Sequence, residues 1–345
     1  MKAGIIGATG YGGLELIRLL SVHPEVKTIR IFSTTEAGTP VDEIYSHLNK
    51  IAQTELEEIH TETMKHSLDV IFLAAPAGVS VQLTPQLLGG KAKVIDLSGD
   101  LRLKDPAAYQ EWYKKDSAPL ETINQAVYGL SEWNGEAISK AETIANPGCY
   151  PTAALLGSGP VVKENLVIPG SLIIDAKSGV SGAGKNPAKM THFAHAQENL
   201  QIYKVNQHQH IPEIEQQMNN WDRDMGAVTF STHLVPMTRG IMATTYLQLN
   251  KNKTTHDLLE LYENYYGECP FVRVRKEGQF PCTKDVHTSN YCDIGLTVDE
   301  RTNRVTIVSV IDNLMKGAAS QAVQNMNLLF SLEESTGIQT LPVYP

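Results

Sequence analysis

The chain opens on a short apolar strand, Ala3 to Ile6, that runs straight into a glycine turn and then a helix. The turn is Gly7-Ala8-Thr9-Gly10-Tyr11-Gly12-Gly13, and Leu14, Ile17, Leu19 and Leu20 follow at helical spacing. Glycines at 7, 10 and 13 permit a tight reversal and a close approach of backbone to a pyrophosphate, while the helix N-terminus offers N–H groups and a partial positive charge. The spacing is G-x-x-G-x-x-G rather than G-x-G-x-x-G, so strand–turn–helix context carries the assignment. Gly7, Ala8, Thr9, Gly10, Tyr11 and Gly12 are the expected dinucleotide contacts.

Further strands are expected at Val26 to Phe32, at the wholly apolar Val70 to Ala75, and at Val94 to Leu97. Strands alternating with helical stretches imply a parallel, doubly wound sheet. The second strand ends in Ser33-Thr34-Thr35, where an NAD site carries a carboxylate for the ribose 2′-OH. Short hydroxyls at Ser33 and Thr34 tolerate a 2′-phosphate, which favours NADP; Glu36 works against that reading. The pattern changes near residue 150. A helical Ala153 to Val162 gives way to strands at 172–176, 228–235, 241–249, 271–274, 292–298 and 305–311, joined in part by short turns at 237–240 and 299–303. Short turns favour antiparallel pairing. The Ala/Leu/Met-rich segment 314–332 reads as a helix returning to the first domain.

Composition excludes several classes. Of 345 residues, 42% are hydrophobic and 19% charged, below the usual charged share of about 25%, so a large core is expected and disorder is not. The net charge of -9 and the lack of a basic run argue against nucleic acid. No apolar stretch reaches membrane-span length, and no signal-like segment opens the chain, so a cytoplasmic setting with reduced thiols is expected. Four cysteines, Cys149, Cys269, Cys282 and Cys292, then serve packing or chemistry; none forms a Cys-x-x-Cys, so no metal is expected.

Cys149 stands apart. Asn146-Pro147-Gly148 is turn chemistry, and Pro151 suits the first turn of a helix. A cysteine at a helix N-terminus has a stabilised thiolate and is a candidate nucleophile. His208 and His210, followed by Pro212 and Glu213, offer a proton-transfer partner at the entry to a helix, with Glu213 able to orient an imidazole. Lys177 to Lys185 (KSGVSGAGK) is a glycine- and hydroxyl-rich anion loop that is not a Walker A motif. Asp96 to Arg102 (DLSGDLR) follows a buried strand, at the carboxyl edge where ligands bind open sheets; Arg102 is suited to clamp a phosphate or carboxylate.

Together, GATGYGGLELIRLL, DLSGDLR, ANPGCYPTA, SGVSGAGK, HQHIPEIEQ, HLVPMTRGI and DNLMKGAASQAVQNMN resemble the N-acetyl-γ-glutamyl-phosphate reductase family over essentially the whole chain. This is the arginine-biosynthetic branch of a superfamily shared with aspartate-semialdehyde dehydrogenase. The resemblance implies an α/β fold: an N-terminal Rossmann-type NADP-binding domain over 1–148 with 313–345, and an α+β catalytic and dimerisation domain over 149–312 with a mainly antiparallel sheet. It implies an enzyme that reduces N-acetyl-L-glutamyl 5-phosphate with NADPH through a cysteine thioester.

By that resemblance Cys149 is the nucleophile, His208 the acid/base, and His210 and Glu213 support it. Ser178, Gly179, Asn313 and Lys316 join the cofactor contacts, and Arg102, Ser181, Gly182, Lys185 and Arg239 take the substrate. Two positions depart from the family pattern: Ala77 where histidine is frequent, and Lys185 where arginine is. Partners are a small-molecule substrate and further copies of the chain, as homodimer or homotetramer. An aspartate-semialdehyde dehydrogenase-like reductase and a non-catalytic NADP-binding redox sensor are the alternatives; paired histidines, an anion loop and a large second domain argue against the sensor.

Overall fold

The computed structural model describes residues 1–52 and 54–344 and divides into two compact units. The first comprises 1–147 and 318–339, the second 148–317 and 340–345.

The first unit is a parallel seven-stranded sheet. Its strands are β1 (Lys2–Ile6), β2 (Thr28–Phe32), β3 (Leu56–Glu57), β4 (Val70–Leu73), β5 (Lys93–Asp96), β6 (Ala126–Tyr128) and β7 (Thr143–Ala145). They lie in the order β3-β2-β1-β4-β5-β7-β6, and every pairing is parallel. The apolar run at 70–73 is buried throughout because both faces of a parallel sheet are covered. The order reverses at β1, flanked by β2 and β4, and it is at the carboxyl side of such a switch point that open sheets bind ligands. The helix Ser320–Leu329 packs against the helices Tyr11–Ser21 and Ser131–Ser139 of this unit. Asn325 fastens it, donating to Gly129 O at 2.8 Å and to Asn146 Oδ1 at 3.0 Å.

The second unit has its own seven-stranded sheet. The strands are β8 (Ile173–Gly179), β9 (Gln201–Tyr203), β10 (Thr229–Val235), β11 (Ile241–Gln248), β12 (Val272–Val274), β13 (Cys292–Asp299) and β14 (Arg304–Ile311), in the order β12-β13-β14-β11-β8-β10-β9. Four pairings are antiparallel (β13·β14, β14·β11, β11·β8, β10·β9) and two parallel (β12·β13, β8·β10), so the sheet is mainly antiparallel. The turn at 299–303 joins neighbours, as expected. The turn at 237–240 does not: β8 lies between β10 and β11. The end of β8 takes up the turn's hydrogen bonds instead, through Gly179 N to Gly240 O, Val180 N to Met237 O and Ser181 N to Thr238 O. Gly179 is glycine because a Cβ there would lie 2.6 Å from Thr238 O.

The helix Cys149–Lys163 is buried from Tyr150 to Val162 and packs against β11 and β14. The unit limits differ from the expected 1–148 with 313–345. Residues 313–317 belong to the second unit, where Asn313 Oδ1 accepts from Gly240 N–H at 2.8 Å. So do 340–345, where Val343 N–H donates to His287 O at 3.0 Å. No helix among the described residues is long and apolar enough to cross a membrane.

Candidate active site

In the first unit the glycine turn sits between β1 and the helix Tyr11–Ser21, whose N-cap is Gly10. The glycines divide by role. Gly7 has φ +82°, and a Cβ there would meet Ala74 O at 2.5 Å; at Gly13 it would meet Gly7 O at 2.4 Å. Those two are demanded by the fold. A Cβ at Gly12 would meet nothing within 4 Å, so packing does not explain that glycine. An open cradle beside helix N–H groups, with no acidic residue in the first turn, fits a pyrophosphate. Ala8 and Thr9 are buried, while Tyr11 is 37% exposed beside the turn. Ser33 Oγ accepts from Thr35 and Glu36 N–H, and Thr34 is exposed.

The DLSGDLR segment is tied into the end of β5 by its own side chains. Asp96 is fully buried, accepts from the Ser80 and Ser98 hydroxyls at 2.7 Å, and is pushed above the usual carboxylate range by burial and by Asp100. Asp100 accepts from Gly78 and Val81 N–H and from the Tyr109 hydroxyl. Arg102, expected as a substrate clamp, is buried and donates from Nε to Asn146 O at 2.8 Å and from a terminal nitrogen to Leu97 O at 3.0 Å. Its guanidinium is thus spent in part on pinning the Asn146 turn.

In the second unit Cys149 is the first residue of its helix, with Gly148 as N-cap. The first turn carries no acidic residue, and Pro151 lacks an N–H that would go unused there. The four cysteines, all among the described residues, form no disulfide. Glu213 is fully buried, and its Oε1 accepts from Gly148 N–H at 2.8 Å. The expected triad-like acid therefore reaches the turn that presents the sulfur. Gly317 lies over Cys149: a Cβ there would be 2.8 Å from Cys149 Cβ.

His208 and His210 are both buried, with ring centroids 4.7 Å apart. His208 sits among Tyr150, Tyr203 and Phe230 at centroid distances of 5.4, 5.8 and 5.7 Å, and its Nδ1 accepts from His210 N–H. Burial, with Lys204 adding repulsion, pulls it down to about 3. His208 is a neutral imidazole in this state. His210 is the N-cap of the helix Ile211–Trp221.

One pair has no counterpart in the sequence reading. The Tyr150 and Tyr203 hydroxyls lie 3.1 Å apart. Burial, with Cys149 adding to it, pushes Tyr203 up to about 12, and burial together with Tyr203 pushes Tyr150 higher still. The sulfur therefore neighbours two neutral hydroxyls. Tyr150 is visible as the residue after the cysteine; Tyr203 carries no local signal.

Of the remaining candidates, Ser178, Ser181, Gly182 and Asn313 lie together: a Cβ at Gly182 would be 2.9 Å from Ser178 Oγ and 3.7 Å from Asn313 Nδ2. Ser178 is buried and donates to Gly179 O at 3.0 Å. Asn313 uses both ends of its amide inside the unit, on Gly240 N–H and Ser181 Oγ. Lys316, expected among the cofactor contacts, is fully buried, with its ammonium 5.9 Å from the Phe271 ring centroid. Gly182 and Lys185 are exposed, and Arg239 lies 3.8 Å from the buried Asp312. No metal-binding cluster occurs among the described residues.

Comparison with known proteins agrees with this division. Residues 2–141 match the NAD binding domain of semialdehyde dehydrogenase, and 149–313 match its dimerisation domain. N-acetyl-gamma-glutamyl-phosphate reductases of Halalkalibacterium halodurans and Bacillus subtilis are each 55% identical over 345 residues, covering 100% of both chains. Aspartate semialdehyde dehydrogenase II of Vibrio cholerae, solved with ASA, superposes with a TM-score of 0.72 at 18% identity, covering 96% of this chain and 98% of that one. The Candida albicans aspartate semialdehyde dehydrogenase solved with NADP gives 0.67 at 16%, covering 95% and 98%. These structures share the fold. With full-length identity above half and both domain models in register, the chain belongs to the N-acetyl-gamma-glutamyl-phosphate reductase family, built on the two semialdehyde dehydrogenase domains.

Proposed function

We propose that this chain reduces N-acetyl-L-glutamyl 5-phosphate to N-acetyl-L-glutamate 5-semialdehyde and phosphate with NADPH, as a step of arginine biosynthesis. The observation that carries the reading is Cys149 at the first position of a buried helix, its N-cap N–H held by Glu213, in a chain 55% identical end to end to reductases of that name.

His208, neutral in the free protein, is in the form that takes the thiol proton. The thiolate attacks the acyl carbon, the C–O bond to phosphate breaks, and phosphate leaves with the bonding pair, giving a thioester on Cys149. NADPH supplies, when bound, the hydride that reduces this thioester. The proton now on the His208/His210 pair passes to the oxygen of the resulting thiohemiacetal, helped by the Tyr150 and Tyr203 hydroxyls, which stay protonated in this setting. Collapse breaks the C–S bond as the hydroxyl proton returns to the His208/His210 pair, which releases the aldehyde and restores the thiolate.

Gly7 to Gly13 hold the cofactor pyrophosphate, and Ser33 with Thr34 its 2′-phosphate. Ser181, Gly182, Lys185 and Arg239 gather the cationic and N–H groups that an anionic substrate needs on a chain of net charge -9. The second unit joins copies of the chain into a homodimer or homotetramer. Supporting this, Ile173 on its sheet is 41% exposed, while the helices Cys149–Lys163 and Thr255–Tyr266 pack on β11 to β14. Sedimentation of the purified protein reads the assembly.

The test of function is oxidation of the two semialdehydes side by side with NADP and phosphate. N-acetylglutamate semialdehyde should turn over and aspartate semialdehyde should not. Cys149→Ser should lose turnover while still binding NADPH; turnover near that of the wild type would sink the mechanism.

A further inference from the structure

The loop after β2 carries a carboxylate where an NADP-binding chain is best without one. In a dinucleotide-binding sheet, an acid following the second strand accepts from the ribose 2′-OH and repels a 2′-phosphate. Glu36 lies four residues beyond Phe32, the end of β2. Its carboxylate is engaged: Thr9 Oγ1, in the glycine turn, donates to Glu36 Oε2 at 2.7 Å. Thr9 is itself fixed, 8% exposed, with its carbonyl accepting from the Tyr45 hydroxyl at 2.7 Å. On the other side the loop is closed by Ser33 Oγ, which accepts from Glu36 N–H at 3.1 Å and from Thr35 N–H at 3.3 Å. Those bonds occupy the lone pairs of Ser33 Oγ and leave its O–H to donate to an anion. Thr34 and Thr35 are exposed beside it.

We infer that Thr9 is a selectivity latch. Its hydroxyl holds the Glu36 carboxylate against the glycine turn, so that the Ser33–Thr35 hydroxyls, and not an acid, receive the ribose 2′-substituent. The inference rests on the cofactor reading above and names a residue that sets its strength. Without the Thr9 hydroxyl, Glu36 turns free to accept from a 2′-OH and to repel a 2′-phosphate, which moves preference toward NADH.

The experiment is a pair of titrations, NADPH and NADH, followed by quenching of protein fluorescence on the full-length chain without substrate. The wild type should bind NADPH tighter. Thr9→Val should narrow the NADPH/NADH affinity ratio by about tenfold, the scale of one charge-assisted hydrogen bond lost. Thr9→Ala is measured alongside in case the valine methyl does not fit. Thr9→Ser, which keeps the hydroxyl, should hold the wild-type ratio, and Glu36→Gln added to Thr9→Val should restore it. An unchanged ratio in the Thr9→Val and Thr9→Ala proteins overturns the latch, as does a narrowed ratio that Glu36→Gln fails to restore. A wild type that prefers NADH, or binds neither, overturns the cofactor reading instead.

Discussion

Replacing His208 by glutamine should flatten the acid side of the stability profile. In the folded chain His208 is pulled from 6.5 down to about 3, chiefly by burial among Tyr150, Tyr203 and Phe230. The unfolded chain therefore binds a proton below about pH 6.5 that the folded chain refuses until about pH 3. The stabilisation due to the neutral imidazole is full above the unfolded pKa and is lost as pH falls through this window. At 1.36 kcal/mol per pH unit, lowering the pH from about 7.5 to about 5 removes roughly 2 kcal/mol through this one group. Glutamine does not titrate, and its side-chain oxygen can still accept the His210 N–H that His208 Nδ1 accepts now. Urea unfolding of both proteins at the two pH values measures the difference. The wild type should lose about 2 kcal/mol more than His208→Gln over that interval. Equal losses would refute the claim that His208 is held neutral by its surroundings.

Gly12→Ala and Gly13→Ala should separate binding from folding. Gly13→Ala drives a Cβ to 2.4 Å from Gly7 O and should cost about 1–3 kcal/mol in a thermal melt. Gly12→Ala meets no protein atom within 4 Å and should melt like the wild type, yet weaken NADPH in a fluorescence titration. Glu213→Ala strands the buried Gly148 N–H and should lower stability by about 1–3 kcal/mol and slow alkylation of Cys149 by iodoacetamide. Glu213→Gln, which keeps an acceptor, should recover most of both.

What could be read in advance was what short range decides. The β1–glycine turn–helix unit and Cys149 at a helix start are written in consecutive residues, and both stand in the structure. The hidden parts are contacts between distant positions. Arg102 reaches Asn146 O across 44 residues, a contact that leaves no trace in local pattern. Tyr203 comes to Tyr150 across 53 residues, on a three-residue strand with little periodicity of its own. The burial of Lys316 beside Phe271, 45 residues away in the chain, is likewise unmarked in the local pattern, since lysine is rarely fully buried. The strand order of the second sheet was hidden for the same reason: a short turn argues for a hairpin, and only the insertion of β8, from far upstream, denies it.

That insertion also sets a constraint in time. Because β8 separates them, β10 and β11 stand two strand spacings apart, roughly 10 Å, and cannot zip together from their connecting turn. The carbonyls of Met237, Thr238 and Gly240 in that turn find their donors only once Gly179, Val180 and Ser181 arrive. The centre of this sheet therefore has no local nucleus. It waits on long loop closures, which slow folding and leave two β-rich segments unpaired meanwhile. A chain released from synthesis before β11 is made would hold β8 with one flank uncovered, the state in which such an edge is most exposed to pairing with another molecule.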